Sequence, residues 1–77
     1  MTMTSTADTA IFSYVDIEKD EAGWWVVKLG STVKGGVPVR ERVRCFEHSK
    51  LAPRAARNAA HDLAWHISET DSLQYLA

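Results

Sequence analysis

Val37-Pro38-Val39-Arg40-Glu41-Arg42-Val43-Arg44-Cys45-Phe46 sorts its residues by parity. Side chains alternate faces along a strand. A regular strand here therefore carries Val37, Val39, Glu41, Val43 and Cys45 on one face, and Arg40, Arg42 and Arg44 on the other. Upstream, Ile11–Glu18 also alternates, with Ile11, Val15 and Ile17 facing one way and Phe12, Tyr14, Asp16 and Glu18 the other. Trp24–Leu29 is rich in the aromatic and β-branched residues that favour strands. Its best parity buries Trp25, Val27 and Leu29 and leaves Trp24, Val26 and Lys28 outside. The polar turn Lys19–Gly23 joins the first two segments, and Gly35-Gly36 gives the positive-φ freedom of a tight hairpin before the third. Pro38 suits the start of an edge strand, where a missing amide donor is tolerated.

Past Phe46 the period changes. Ser49 or a neighbour is expected to start a helix with Pro53 in its first turn, running to about Ser68. Steps of about 100° place Ala52, Ala56, Ala59, Leu63 and Ile67 on one stripe. Arg54, Arg57, Asn58, His61 and Trp65 fall on the opposite face, where the large indole is out of place. Asp71-Ser72 can cap a last turn in which Leu73, Tyr75 or Leu76 folds back on the core. The predicted fold is α+β, a three-stranded antiparallel meander with one C-terminal helix packed on one face (βββα). Residues 11–77 form the single domain, after a disordered tail over 1–10 made mostly of Thr, Ser and Ala. The expected core is Val15, Ile17, Trp25, Val27, Leu29, Val39, Val43, Ala56, Ala59, Leu63 and Ile67. The outer sheet face is expected to hold Phe12, Tyr14, Trp24, Val26, Lys28 and the arginines, with nothing to cover it.

At 77 residues a domain buries only about 60% of the surface its unfolded chain exposes, so each large apolar side chain matters. The single cysteine, Cys45, excludes an internal disulfide and fits a reducing compartment. The start of the chain has neither the basic nor the apolar character of a signal peptide, and no run is apolar enough to span a bilayer. The expectation is a cytoplasmic protein with no membrane partner. The net charge of −1 conceals a division along the chain: −4 over residues 1–21, +6 over 22–57 and −3 over 58–77. Such asymmetry bears on partners, although acidic strand 1 and basic strand 3 can also balance one another within the molecule.

Cys45-x2-His48-x12-His61-x4-His66 has the linear spacing of a small zinc-binding domain. On a regular helix, however, His61 and His66 diverge by about 140°, and Cys45 lies on the predicted core parity. No metal and no cofactor is expected. A Cys45–His48 or Cys45–His61 pair lacks a third orienting group, and so small a domain has little room for a catalytic cleft. The expectation is a protein that is not an enzyme. What remains is basic and aromatic surface: Arg40, Arg42 and Arg44 with Trp24, Lys28 and Tyr14, and a second patch of Arg54, Arg57 and Trp65. Arginine and aromatic residues are enriched in interface hot spots and also serve nucleic-acid stacking. Arginines on an edge strand can equally serve solubility.

Two resemblances add to this. From Gly23 to Ile67 the chain resembles a double-stranded-RNA-binding domain, with a hairpin, a third strand and the alanine-rich run Ala56-Arg57-Asn58-Ala59-Ala60-His61-Asp62-Leu63-Ala64-Trp65. That family's helix start carries a lysine pair that grips phosphates. Its matching places here are about Pro53 and Arg54, and the family's first helix has no counterpart before Ile11. In type, a small βββα chain with uneven surface charge and no catalytic set also resembles the phage-encoded inhibitors of host defence, notably anti-CRISPR proteins. This second resemblance implies an inhibitor in the host cytoplasm that binds a protein or ribonucleoprotein, such as a CRISPR–Cas surveillance complex. Nucleic acid is the alternative partner, a zinc-binding domain is the second alternative, and a homodimer stays open.

Overall fold

The computed structural model describes residues 8–77. Three antiparallel strands, β1 (Ala10–Lys19), β2 (Gly23–Thr32) and β3 (Pro38–Glu47), are followed by helix α1 (Pro53–Thr70) and a two-residue strand β4 (Gln74–Tyr75). The sheet order is β3-β2-β1-β4, with β4 parallel to β1. The fold is therefore the expected α+β meander with one helix on one face. The short fourth strand is the form taken by the C-terminal return: Leu76 donates its amide to the Val15 carbonyl, and Leu73 and Tyr75 pack against the core.

Which face meets the helix differs from strict alternation, and two bulges account for much of it. Ser13 is skipped in the β1–β2 ladder and Val43 in the β2–β3 ladder. An extra residue in one strand moves everything beyond it to the other face. Opposed residues share a face, so the ladders put Phe12, Val15, Ile17, Lys19, Trp24, Val26, Lys28, Arg44 and Phe46 on the helix side. Tyr14, Asp16, Glu18, Trp25, Val27, Leu29, Arg40, Arg42 and Cys45 lie on the outer side. The expected faces of β2 are thus exchanged. Trp24 and Val26 meet α1, while Trp25, Val27 and Leu29 form a second apolar strip on the face away from the helix. Phe12 moves to the helix side. Val43, expected in the core, is an exposed bulge residue.

The helix is also rotated from the expected stripe. Its buried row is Ala56, Ala60, Ala64 and Ser68, spaced by four, with Ala59, Leu63 and Ile67 half-buried beside it. Side chains no larger than a methyl or hydroxymethyl let the backbone come close to the sheet, where Ala60 and Ala64 touch the fully buried Val15 and Val26. The larger Leu63 and Ile67 reach sideways and close the flank. Ser68 satisfies its buried hydroxyl by donating to the Trp65 carbonyl at 2.6 Å. Ser49 is not the cap. The helix begins at Pro53, and Ala52 at the N-cap offers no side-chain acceptor.

Residues 1–7 of the expected tail lie outside the described residues, and 8–10 depart from it. Ala10 opens β1, and the Asp8 carboxylate accepts hydrogen bonds from the Lys34 and Gly35 amides at 2.9 Å each. Asp8 thereby ties the chain to the β2–β3 turn, where Gly36 takes the left-handed φ of 64°. No helix among the described residues is long and apolar enough to cross a membrane.

Candidate functional site

The third-strand arginines do not form one row. The bulge at Val43 leaves Arg40 and Arg42 on the outer face and turns Arg44 to the helix side, where its guanidinium lies 4.8 Å from the Phe46 ring centroid. Arg40 pairs with Glu18. Arg42 reaches Asp20 at 3.3 Å and Glu18 at 3.6 Å, and it stacks 4.4 Å above the Trp25 ring. These side chains lie across the outer face, where Val27 is only 2% exposed although no helix covers it. Acidic β1 and basic β3 balance one another across β2. Asp20 is the anchor: it accepts from the Ala22 and Gly23 amides. Desolvation pushes its carboxyl up, but the Trp25 indole, those two amides and Arg42 outweigh it and hold the pKa below the usual value. The indole N–H is sealed from solvent without a well-formed hydrogen bond, so its influence on Asp20 comes through a contact outside ordinary hydrogen-bond geometry.

Other expected site residues are dispersed. Lys28 lies on the helix side and pairs with Asp71 at 2.9 Å, bracing the end of α1. Tyr14 is on the outer face between Leu29 and Gln74. Trp65 is 55% exposed and lies eight residues beyond Arg57, about 12 Å along the helix, so it does not share a patch with Arg54 and Arg57. His61 is engaged with the Tyr75 hydroxyl at 2.8 Å. Among the described residues no three His, Cys, Asp or Glu side chains gather where they could hold a metal ion. Cys45 lies on the outer face opposite Trp25. Desolvation, with Asp20 and Glu47 nearby, pushes its thiol up against the opposing effect of Arg42.

The structure does bring one set together. A cleft of about 400 Å³ lies between the start of α1 and the end of the β1–β2 hairpin, lined by Lys19, Trp24, Pro53, Arg54, Arg57 and Asn58. Lys19 and Trp24 are cross-strand partners on the helix side. Pro53 fixes where the helix begins, which sets Arg54 and Arg57 on the turn above them. The Arg57 guanidinium is 5.7 Å from the Trp24 ring centroid. Among the described residues no acidic side chain lines the cleft, and none occurs in the first turn of the helix.

Of the nine Lys and Arg residues, Lys28, Lys50, Arg40 and Arg42 make ion pairs. Among the described residues Lys19, Lys34, Arg44, Arg54 and Arg57 do not, and three of these five line the cleft. Arg54, Arg57 and Trp24 were singled out from sequence, but in two different patches. Lys19 and Asn58 were not. The signal for Lys19 is its place directly before the Asp20–Gly23 turn, which fixes it opposite Trp24. No protein-family model, curated protein or solved structure matches this chain.

Proposed function

We propose that the protein is a small non-enzymatic interaction protein, of inhibitor type, that docks on an anionic surface of a protein or ribonucleoprotein target through the cleft at the start of α1. One observation carries this reading: the unpaired cations Lys19, Arg54 and Arg57 converge with half-buried Trp24 in a concavity free of carboxylates. The sheet-face arginines are the weaker docking surface, because Glu18 and Asp20 already neutralise Arg40 and Arg42. The half-buried Cys45 thiol, its pKa raised by desolvation and by Asp20 and Glu47, is a poor nucleophile, which supports a binding role over a catalytic one. A guide-loaded CRISPR–Cas complex presents nucleic-acid phosphates of the required charge, in keeping with the resemblance of type.

Chromatography on immobilised heparin, a polyanion, tests the location. A chain with sequence pI near 6.3 has no bulk charge to hold it there at pH 7.5. The wild type is expected to be retained and released by salt. The Arg54→Glu/Arg57→Glu variant is expected to flow through, and Arg40→Glu/Arg42→Glu to be retained like the wild type. Flow-through of the wild type would remove the reading.

A further inference from the structure

Resting on the reading that the cleft is the docking surface, we infer that its ligand is a single-stranded nucleic acid, one nucleotide of which seats with its phosphate among Lys19, Arg54 and Arg57 and its base against the Trp24–Arg57 pair. Three features of the cleft must be explained together. Its three unpaired cations come from two elements, β1 and α1, and meet across a volume of about 400 Å³, which suits one nucleotide. Its wall is aromatic: the Trp24 ring, half-buried against the core, carries the exposed Arg57 guanidinium 5.7 Å from its centroid, and a base stacks on the outer face of the guanidinium or on the part of the indole it leaves open. Its rim bears the Asn58 amide, which has both a donor and an acceptor to offer a base edge.

An acidic peptide would satisfy the cations and leave the solvent-facing part of the indole, whose remainder packs on the core, and the amide unused. A duplex would satisfy the phosphate positions, but its bases are stacked on their neighbours and cannot present a face to a concave site. A splayed base on a single strand meets all three features. Stacking is tolerant of sequence, so binding is expected at any composition, with the base edge at Asn58 modulating it.

The test uses the full chain and fluorescein-labelled probes in anisotropy titrations: a uridine octamer, a blunt RNA duplex and a glutamate octapeptide. Tightest binding is expected for the uridine octamer. With three cations neutralising phosphate, its affinity should fall roughly 20-fold as salt rises from about 50 to about 200 mM. Arg54→Glu/Arg57→Glu should weaken it at least about tenfold. Trp24→Leu, which keeps the charges, should weaken the octamer several-fold and leave heparin elution unchanged. Circular dichroism melts of each variant separate lost binding from lost fold, and Arg57→Lys, which keeps the charge but not the plane, is the conservative check if Trp24→Leu unfolds. Heparin retention with the glutamate peptide or the duplex bound more tightly than the octamer would overturn the single-strand inference while leaving the docking surface in place. Absence of heparin retention would remove both.

Discussion

The β3 arginines and the α1 cleft are two basic regions of similar charge and opposite circumstance. Arg40 and Arg42 lie on the outer sheet face, Arg40 bound to Glu18 and Arg42 bound to Glu18 and Asp20 and stacked on Trp25. They shield Val27 and complete a face that no helix covers. Arg54, Arg57 and Lys19 surround a concavity with no carboxylate among its lining residues. The first group is held by charges that the meander places two strands away. The second remains unpaired because the helix begins at a proline and carries no acidic residue in its first turn. The number of cations in a segment therefore says little about charge available to a partner. Whether the fold brings carboxylates within reach decides that.

The largest expected effect comes from disturbing the packing that positions only one of these regions. Ala60 is fully buried where α1 rests on Val15 and Val26. In an Ala60→Leu variant the added carbons have no room, at a cost of about 1–3 kcal/mol. The helix is pushed off the sheet, carrying Arg54 and Arg57 away from Lys19 and Trp24 while the β1–β3 ion pairs stay intact. Urea denaturation is expected to show the loss, and heparin elution to move to lower salt. A loss under about half a kilocalorie per mole would mean the alanine row is not the contact that seats the helix.

Charge reversal should give crossed results in the two regions. Arg40→Glu/Arg42→Glu places like charges beside Glu18 and Asp20, and is expected to cost roughly 1–2 kcal/mol, since exposed pairs contribute up to about 1 kcal/mol each. Polyanion binding should persist. Arg54→Glu/Arg57→Glu breaks no ion pair and loses only the Arg57–Trp24 contact, so stability is expected to fall by less than about 1 kcal/mol while binding is lost. If denaturation ranks the two variants the other way, the cleft cations have partners and the outer-face cations do not.

The βββα order was legible because each element has a distinct period and clear boundaries: alternation in β1, an aromatic and β-branched run in β2, alanines at helical spacing after Pro53. Facing was not. Both sides of β2 are apolar, since Trp24 and Val26 compete with Trp25 and Val27, so composition alone could not choose which side the helix covers. A bulge has no compulsory residue type, and neither Ser13 nor Val43 announces one. Yet the bulge at Val43 divides Arg44 from Arg40 and Arg42 and dissolves the apparent stripe. The cleft was half legible. Arg54, Arg57 and Trp24 stood out as residue types, but their convergence on Lys19 depends on the facing of β2.

The smallest expected effect is on pH dependence, and it separates the regions by sign. Asp20 is pushed up by desolvation, but the Trp25 indole, the Ala22 and Gly23 amides and Arg42 together hold its folded pKa below the ordinary value. At Asp8 the Lys34 amide is the strongest influence; it outweighs the desolvation that opposes it, with help from the Gly35 amide. A carboxyl whose folded pKa is depressed contributes stability that is present above its unfolded pKa, about 3.9. That contribution is lost as pH falls through the folded value. Thermal midpoints should therefore decline on the acid side of about pH 4. In Asp20→Asn the midpoint at pH 7 should be lower and the acid decline shallower. An acid limb as steep as the wild type's would remove Asp20 from the outer-face network. The cleft has no carboxylate to lose. Heparin retention, referred to sulfates that stay ionised, should not weaken between pH 7 and pH 5, where the fold is still intact. Weaker retention at the lower pH would show that an acidic group takes part in the site.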